Sequence, residues 1–489
     1  MKIAMIASEM APLAKVGGLA DVVGALPHAL ARLGHEVRVV LPRYQSIDAT
    51  RHKIVKGPGG APMTEIVSGG KGATRVPVHL IESPLHFGRP GIYNDPKDGK
   101  GYPDNAGRFI FFQRAALRLL KEIGFAPDAI HCHDHQTALI PAWLRMTDDP
   151  HFAGTGTLFT VHNLGYQGLF PPETLELAGF DRSLFYPVSP FEFWGQVNFM
   201  KIGLSFADLI TTVSPTYAEE ICTEEQGCGL EGVLRARRAD LHGVLNGIDD
   251  QYWNPSQDPH LKDRYAAADM AGKARCKTSL LKEFGLPVSR KRVPLVGIIS
   301  RLTEQKGFDL IEEALPELMK REMKIVVLGA GEERYVKMFR EAQSSYPDRV
   351  GARIGFDEAL AHLIEAGCDM FLMPSRYEPC GLNQMYSLAY GTVPVVRATG
   401  GLADTVFAET AGGQKANGFV FREYEAERML AAIDRALAVY SDSRKWARLV
   451  QAGMKGDYSW TRSARLYEKL YEEAARKAGA RAPAAGQYA

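Results

Sequence analysis

The sequence predicts an α/β protein of two doubly wound domains, each a parallel sheet with helices on both faces. Three observations carry that expectation. Short apolar runs alternate with longer amphipathic stretches, the pattern of strand–helix–strand units. The alternation restarts once, after Asn246. The 489 residues suffice for roughly two to three domains at about 150 residues each.

The first set of buried strands is expected at Ile3–Ala7, Val37–Leu41, Val78–Ile81, Ala129–His131, Leu158–His162 and Leu209–Val213. Amphipathic helices fall between them at Leu19–Leu33, Ala106–Ile123 and Thr137–Arg145. The second strand set is Val293–Ile299, Lys324–Leu328, Ala352–Ile354, Met370–Met373 and Val393–Val396. Helices are expected near 271–284, 308–320, 331–344, 356–366 and 381–390. The boundary is expected near the polar segment 249–263, which divides the chain into 1–248, 249–456 and a C-terminal 457–489. Residues 424–478 read as helical with a break at Asp457–Trp460, and AGARAPAAGQYA reads as a frayed tail.

Composition excludes several classes. Hydrophobic residues make up 46% and charged residues 24%, close to globular averages, so bulk disorder is out. Lys+Arg is 58 against 57 Asp+Glu, a net charge of +1, so no concentrated basic face for nucleic acid is expected. Cys132, Cys222, Cys228, Cys276, Cys368 and Cys380 form no C-x-x-C pair and read as reduced thiols of a cytoplasmic protein. The opening MKIAMIASEM reads as a buried strand rather than a signal peptide. No run of about 18 apolar residues occurs, so no membrane span is expected.

Five constellations sit where strands meet helices. Lys15-Val16-Gly17-Gly18-Leu19-Ala20-Asp21 places a cation and two glycines before a helix, where backbone N–H groups favour an anion. Neither nucleotide fingerprint, G-x-G-x-x-G nor G-x-x-x-x-G-K-[ST], is present there, and the lone GAG at 329–331 is weak evidence. His131-Cys132-His133-Asp134-His135 admits a metal reading, but strand alternation sends His131 and His133 to one face and Cys132 to the other, which favours a polar strand end lining a ligand crevice. His162, in TVHN, is either another such strand end or a structural histidine. Ser300-Arg301-Leu302-Thr303-Glu304-Gln305-Lys306-Gly307 offers two cations to one anion, or two solvated charges. Ser375, Glu378, Cys380, Gly381 and Leu382 lie in a further strand-to-helix loop, with Glu378 an acceptor for sugar hydroxyls or an ordinary acid at a helix start. GGLADVV at 17–23 is echoed by GGLADTV at 400–406, with Asp21 and Asp404 placed in the first helical turn.

Taken in order, KxGGLADV, HxHD, TVHNLxYQG, TVSPTYAEE, VLNGID, SRLTxQKGxDL, SRYEPCGLxQ and TGGLADTV closely resemble the glycogen and starch synthase family, from about residue 1 to 475. The resemblance implies a GT-B fold: two Rossmann-like domains facing a cleft, with the C-terminal helix returning to the first. It implies retaining transfer of glucose from ADP-glucose to the non-reducing-end 4-hydroxyl of glycogen or another α-1,4-glucan. No D-x-D metal-binding pattern occurs, so no metal or other cofactor is expected. It places Asp134, His162, Arg301, Lys306 and Glu378 in the catalytic set. It places Lys15, Gly17, Gly18, Asp21, Asn246, Phe356, Ser375, Cys380, Gly381 and Leu382 in the substrate-binding set, with Phe356 against adenine and Cys380 at a helix N-terminus. Two positions depart from the family pattern: Val16 stands where Thr is common, and Tyr386 stands where many GT-B relatives carry a second Glu. A UDP-glucose-using transferase and a non-catalytic glucan scaffold are the competing readings. An NAD-dependent dehydrogenase is disfavoured by the missing fingerprint.

Overall fold

The computed structural model describes residues 1–48, 54–56, 62–68, 75–289, 291–410 and 416–480. Its strands in chain order are β1 (Lys2–Ile6), β2 (Glu36–Pro42), β3 (Ile54–Lys56), β4 (Pro62–Ser68), β5 (Val76–Ile81), β6 (Ala129–His133), β7 (Gly156–Val161), β8 (Leu169–Phe170), β9 (Val197–Asn198), β10 (Leu209–Thr212) and β11 (Leu241–Gly243). They continue as β12 (Leu295–Ile299), β13 (Lys324–Gly329), β14 (Val350–Ile354), β15 (Met370–Met373), β16 (Val393–Arg397) and β17 (Phe419–Phe421). The chain forms two compact units: Met1–Asn246 with the segment from Trp460, and Gly247–Ser459.

Unit 1 holds a nine-stranded sheet in the order β11-β10-β7-β6-β1-β2-β5-β4-β3. From β11 to β5 every pairing is parallel. These strands are buried on both faces, which is why they read as near-continuous apolar runs such as LFTV and IAMI. The chain leaves β1 toward β2 and β5, then returns through the helix Asn105–Glu122 to β6 on the other side of β1. The carboxyl ends of β1 and β6 therefore form a topological switch point, the usual ligand crevice of such sheets.

Unit 2 repeats the logic. Its sheet runs β14-β13-β12-β15-β16-β17, all parallel, with the switch point between β12 and β15. One face packs Val296, Ile298, Val327, Leu372 and Phe419 against the helices Phe308–Leu318 and Ala426–Ser441. The other packs Val326, Leu328 and Phe371 against Leu280, Leu360 and Ile364.

The structure departs from expectation at the sheet edges, where β17, the apolar FVF closing the second sheet, was not expected. β3 and β4 pair antiparallel at the edge of the first sheet. β4, PMTEIVS, and the three-residue β11, LHG, lack an apolar run long enough to announce a strand. The helical segment 424–478 is three helices, Ala426–Ser441, Ser443–Met454 and Trp460–Gly479, because Asp442 caps the second with its carboxylate on the amides of Arg444 and Lys445. The last helix returns to unit 1, as the resemblance implied, and lays Tyr467 and Tyr471 over His131 of β6. Of the expected frayed tail, the helix runs to Gly479 and residues 481–489 lie outside the described residues.

The polar segment 249–263 is packed into unit 2 rather than forming a linker. Trp253 is sandwiched between His362 (3.8 Å) and Tyr386 (3.9 Å). Asp258 is fully buried, bonded to His362 Nδ1 at 2.7 Å and accepting from the Tyr390 hydroxyl. Burial would raise its carboxyl, but these bonds and the His260 amide hold it below the usual range. Tyr386, the position of the missing second carboxylate, is thus a stacking residue.

Asp258→Ala leaves His362 Nδ1 and the Tyr390 hydroxyl only their long 3.4 Å contact with each other. It is expected to destabilise unit 2 by roughly 3 kcal/mol. Asp263→Ala, which breaks a partly exposed pair with Arg275, is expected to cost no more than about 1 kcal/mol. Equal urea midpoints for the two variants would contradict the assignment of Asp258 to the core.

Candidate functional site

In unit 2 the loops after β12 and β15 meet at the switch point. Lys306 Nζ donates to Glu378 Oε2 at 2.6 Å, and Ser375 Oγ donates to the same oxygen at 3.0 Å. Glu378 and Ser375 are buried, and Lys306 keeps a fifth of its side chain exposed. Close backbone approach brings the groups together. A Cβ on Gly307, whose φ is +79°, would lie 2.1 Å from the Pro374 carbonyl oxygen. A Cβ on Gly400 would lie 2.0 Å from the Glu378 carbonyl oxygen, and one on Gly401 2.0 Å from that of Cys380. The Arg376 amide also bonds to the Gln305 carbonyl at 2.9 Å. Arg301 is exposed beside them and donates to Gln305 Oε1 at 3.2 Å. Phe356 follows β14 and is 87% exposed, a bare ring available for stacking.

In unit 1 the residues after β1, β6 and β7 converge. Glu9, buried, accepts from the Tyr93 hydroxyl at 2.6 Å and from the Gly17 amide at 2.9 Å, and its second amide partner is Val16. Burial nevertheless raises its carboxyl. Lys15 bonds to Asp21 at 2.6 Å. Asp134 has φ +55° and ψ −177°, a conformation non-glycine residues rarely adopt. It is held there by its amide on the Thr160 carbonyl (2.9 Å) and its Oδ1 under the His162 amide (2.7 Å). Burial pushes its carboxyl up to about 8. His162 is pushed down to about 3 by burial, so its ring is neutral near neutral pH. Its Nε2 lies 2.9 Å from His133 Nδ1.

Several expectations are corrected by this geometry. The amides of Val16 and Gly17, just before the helix Gly18–Arg32, bond to Glu9. The repeated GGLAD segments do different work. A Cβ on Gly17 would meet nothing within 4 Å, whereas Gly400 and Gly401 are pressed against backbone. Asp404 lies at the end of the six-residue helix Gly400–Thr405, not in its first turn. The helix after Glu378 begins at Asn383 with Leu382 as its N-cap, so buried Cys380 is not at a helix N-terminus. GAG at 329–331 is glycine-rich because it packs on the Ser300–Leu302 backbone. His131 and His133 do share a face, with rings 4.0 Å apart. Both ring nitrogens of His131 are taken by Tyr471 and Thr160 hydroxyls (2.8 and 2.6 Å). Among the described residues no cluster of His, Cys, Asp and Glu is arranged to hold a metal ion. Asn246 is buried at the end of unit 1, its Oδ1 without a partner among the described residues. Gly18 opens the helix Gly18–Arg32, and Gly381 takes φ +68° before Leu382. Sequence reasoning gave no role to Glu9 or His133, which the structure sets beside Gly17 and His162. An acid directly after the first buried strand was the available signal for Glu9.

Comparison with known proteins completes the picture. Residues 2–236 match the family model described as starch synthase catalytic domain, and 284–452 match glycosyl transferases group 1. Two Rossmann-like sheets with cation-bearing loops at their switch points, together with these matches, define a hexosyltransferase of the GT-B fold. The chain is 49% identical to a glycogen synthase of Syntrophotalea carbinolica, over 97% of this chain and 99% of that one. It is 51% identical to a glycogen synthase of Anaeromyxobacter dehalogenans, over 96% and 99%. The catalytic domain of starch synthase IV from Arabidopsis thaliana, solved bound to ADP and acarbose, superposes with a TM-score of 0.86 at 37% identity, covering 97% of this chain and 99% of that one. The chain belongs to the glycogen synthase family. Sucrose-phosphate synthase from Thermosynechococcus elongatus, at 16% identity and a TM-score of 0.59 over 96% and 98% of the chains, shares the fold.

Gly401→Ala is expected to lower stability by about 1–3 kcal/mol, since its Cβ meets backbone that cannot yield cheaply. Gly17→Ala should change stability by no more than about 1 kcal/mol, yet reduce turnover about tenfold or more by crowding the ligand approach. Thermal melting beside initial rates separates the two, and a Gly17→Ala enzyme of full activity would remove that glycine from the site.

Asp134 also ties stability to pH. Its carboxyl titrates near 4 when unfolded and at about 8 when folded. Across that window the folded chain keeps a proton that the unfolded chain has released. The stability that this one carboxyl contributes is therefore fully present below about pH 4 and is lost as pH rises to about 8. Asp134→Asn should flatten this fall; denaturation midpoints with unchanged pH dependence would refute it.

Proposed function

We propose that this chain transfers glucose from ADP-glucose to the 4-hydroxyl at the non-reducing end of an α-1,4-glucan such as glycogen, retaining the anomeric configuration and releasing ADP. Family membership makes the donor a nucleotide sugar and the acceptor a glucan. The ADP bound to the related plant enzyme favours the adenine nucleotide. The observation that carries the reading is the Lys306–Glu378–Ser375 cluster at the switch point of the second sheet.

Cleavage of a sugar diphosphate leaves an oxocarbenium-like glucosyl group and builds negative charge on the departing phosphate oxygen. Lys306 has three ammonium protons and commits one to Glu378, leaving two for phosphate oxygens. Arg301, beside Lys306, adds a guanidinium fork. Such charges, placed before the reaction, stabilise the transition state rather than the ground state. Glu378, fixed by Lys306 and Ser375, accepts from donor-glucose hydroxyls, and Phe356 stacks on the adenine.

In unit 1, Asp134 and neutral His162 are the groups we assign to a sugar ligand. Retaining glycosidases use a carboxylate nucleophile. Asp134, with its carboxyl raised to about 8, is largely protonated at neutral pH and a poor nucleophile. Glu378 is already engaged by two donors. Attack therefore proceeds on the face the phosphate leaves, with a phosphate oxygen taking the acceptor hydroxyl's proton. All six cysteines are free thiols, the state a reducing cytoplasm maintains, and we place the reaction there. No helix among the described residues is long and apolar enough to cross a membrane.

The test is nucleotide release from ADP-glucose and from UDP-glucose, each with and without glycogen. Glycogen-dependent ADP release is expected; preferential UDP release would reassign the donor, and no release from either would leave a glucan-binding scaffold. Lys306→Ala and Arg301→Ala should each lower kcat by roughly 10²–10³, the effect of deleting one preorganised charge donor. Normal melting with wild-type kcat in both would refute their roles.

A further inference from the structure

His133 ends β6 and His162 follows β7. His133 and His162 face each other through His133 Nδ1 and His162 Nε2, 2.9 Å apart. Both rings are buried, and burial holds both below the usual histidine range, so both are neutral and one proton lies between them. His133 Nε2 is buried with no hydrogen-bond partner among the described residues. If His162 Nε2 carried the shared proton, His133 would carry its own on Nε2, leaving a buried N–H without an acceptor. If His133 Nδ1 carries it, Nε2 is a bare lone pair. A buried N–H with no acceptor is the rarer and costlier of the two orphans. His131 cannot relieve it, because both its ring nitrogens are taken by Tyr471 and Thr160.

We infer that His133 is a positioning residue: by donating from Nδ1 to His162 Nε2, it fixes His162 as the tautomer with its proton on Nδ1. His162 then presents an N–H donor at the nitrogen that makes no hydrogen bond among the described residues, suited to a sugar hydroxyl oxygen and not to a hydroxyl proton. The second ring nitrogen of a functional histidine commonly decides its tautomer in this way. The functional consequence rests on the proposed role of His162 against the sugar; the tautomer itself does not.

The experiment reads ¹⁵N chemical shifts of histidine-labelled full-length protein near neutral pH, with His162 assigned by its loss in His162→Asn. Expected is a protonated-type signal at Nδ1 and an unprotonated-type signal at Nε2. The reverse pattern in the wild-type protein overturns the inference. His133→Asn, whose amide donates from nearly the same place, should keep that pattern and most of the activity. His133→Leu should mix the tautomers and lower kcat by about tenfold or more, as loss of an orienting partner does. An unmixed Nδ1–H signal in a folded His133→Leu protein also overturns the inference. Mixed tautomers with undiminished kcat would uphold the tautomer control and count instead against His162 as a sugar contact.

Discussion

The candidate site of unit 2 depends on backbone touching backbone at the carboxyl ends of β12, β15 and β16. Gly307 rests on Pro374, Gly400 on Glu378 and Gly401 on Cys380, each at a distance that excludes a side chain. These contacts set the height of the Glu378 loop relative to the Lys306 loop, and the 2.6 Å ion pair follows. A buried carboxylate needs such a partner, because desolvation otherwise penalises its charge. The parallel strand order supplies the rest: only next to the switch point do loops from two adjacent strands diverge enough to leave room for a ligand.

Unit 1 handles its ionisable groups differently. Asp134 and Glu9 are buried with hydrogen-bond donors but without a paired cation, and burial raises both carboxyls. The three histidines beside them are neutral for the same reason. Two tyrosines of the C-terminal helix cover that row, so the helix Trp460–Gly479 completes a polar interior that β6 and β7 alone would leave open to water. The strained backbone at Asp134 belongs to this arrangement. It turns the carboxyl group back beneath the His162 amide, at a cost of order 1–3 kcal/mol that the surrounding hydrogen bonds offset.

Much of this was legible in the residues. Runs such as LVGII and IVVLG announce buried parallel strands because both faces are covered. The loops bearing Lys15, Asp134, Arg301, Lys306 and Glu378 stood out because each follows such a strand and precedes a helix. The edge strand β4 and the short β11 were not legible, since polar residues interrupt their apolar character. The burial of Asp258 was not legible either: only the partners His362 and Tyr390, about a hundred residues away or more, make it tolerable.

The sequence by itself determined the two α/β domains and the chemical inventory at their strand ends, because hydrophobic periodicity and residue type are local properties of the chain. Tertiary structure alone decided what each group does with that position. The GGLAD segments are nearly identical as text, yet one glycine stands open while its counterparts are wedged against the loop that holds Glu378. Glu9 takes the amides of Val16 and Gly17, and His133 acquires a role only through His162, 29 positions along the chain. Protonation states, tautomers and the freedom of a helix amide depend on neighbours brought in from distant sequence, and no local pattern encodes them.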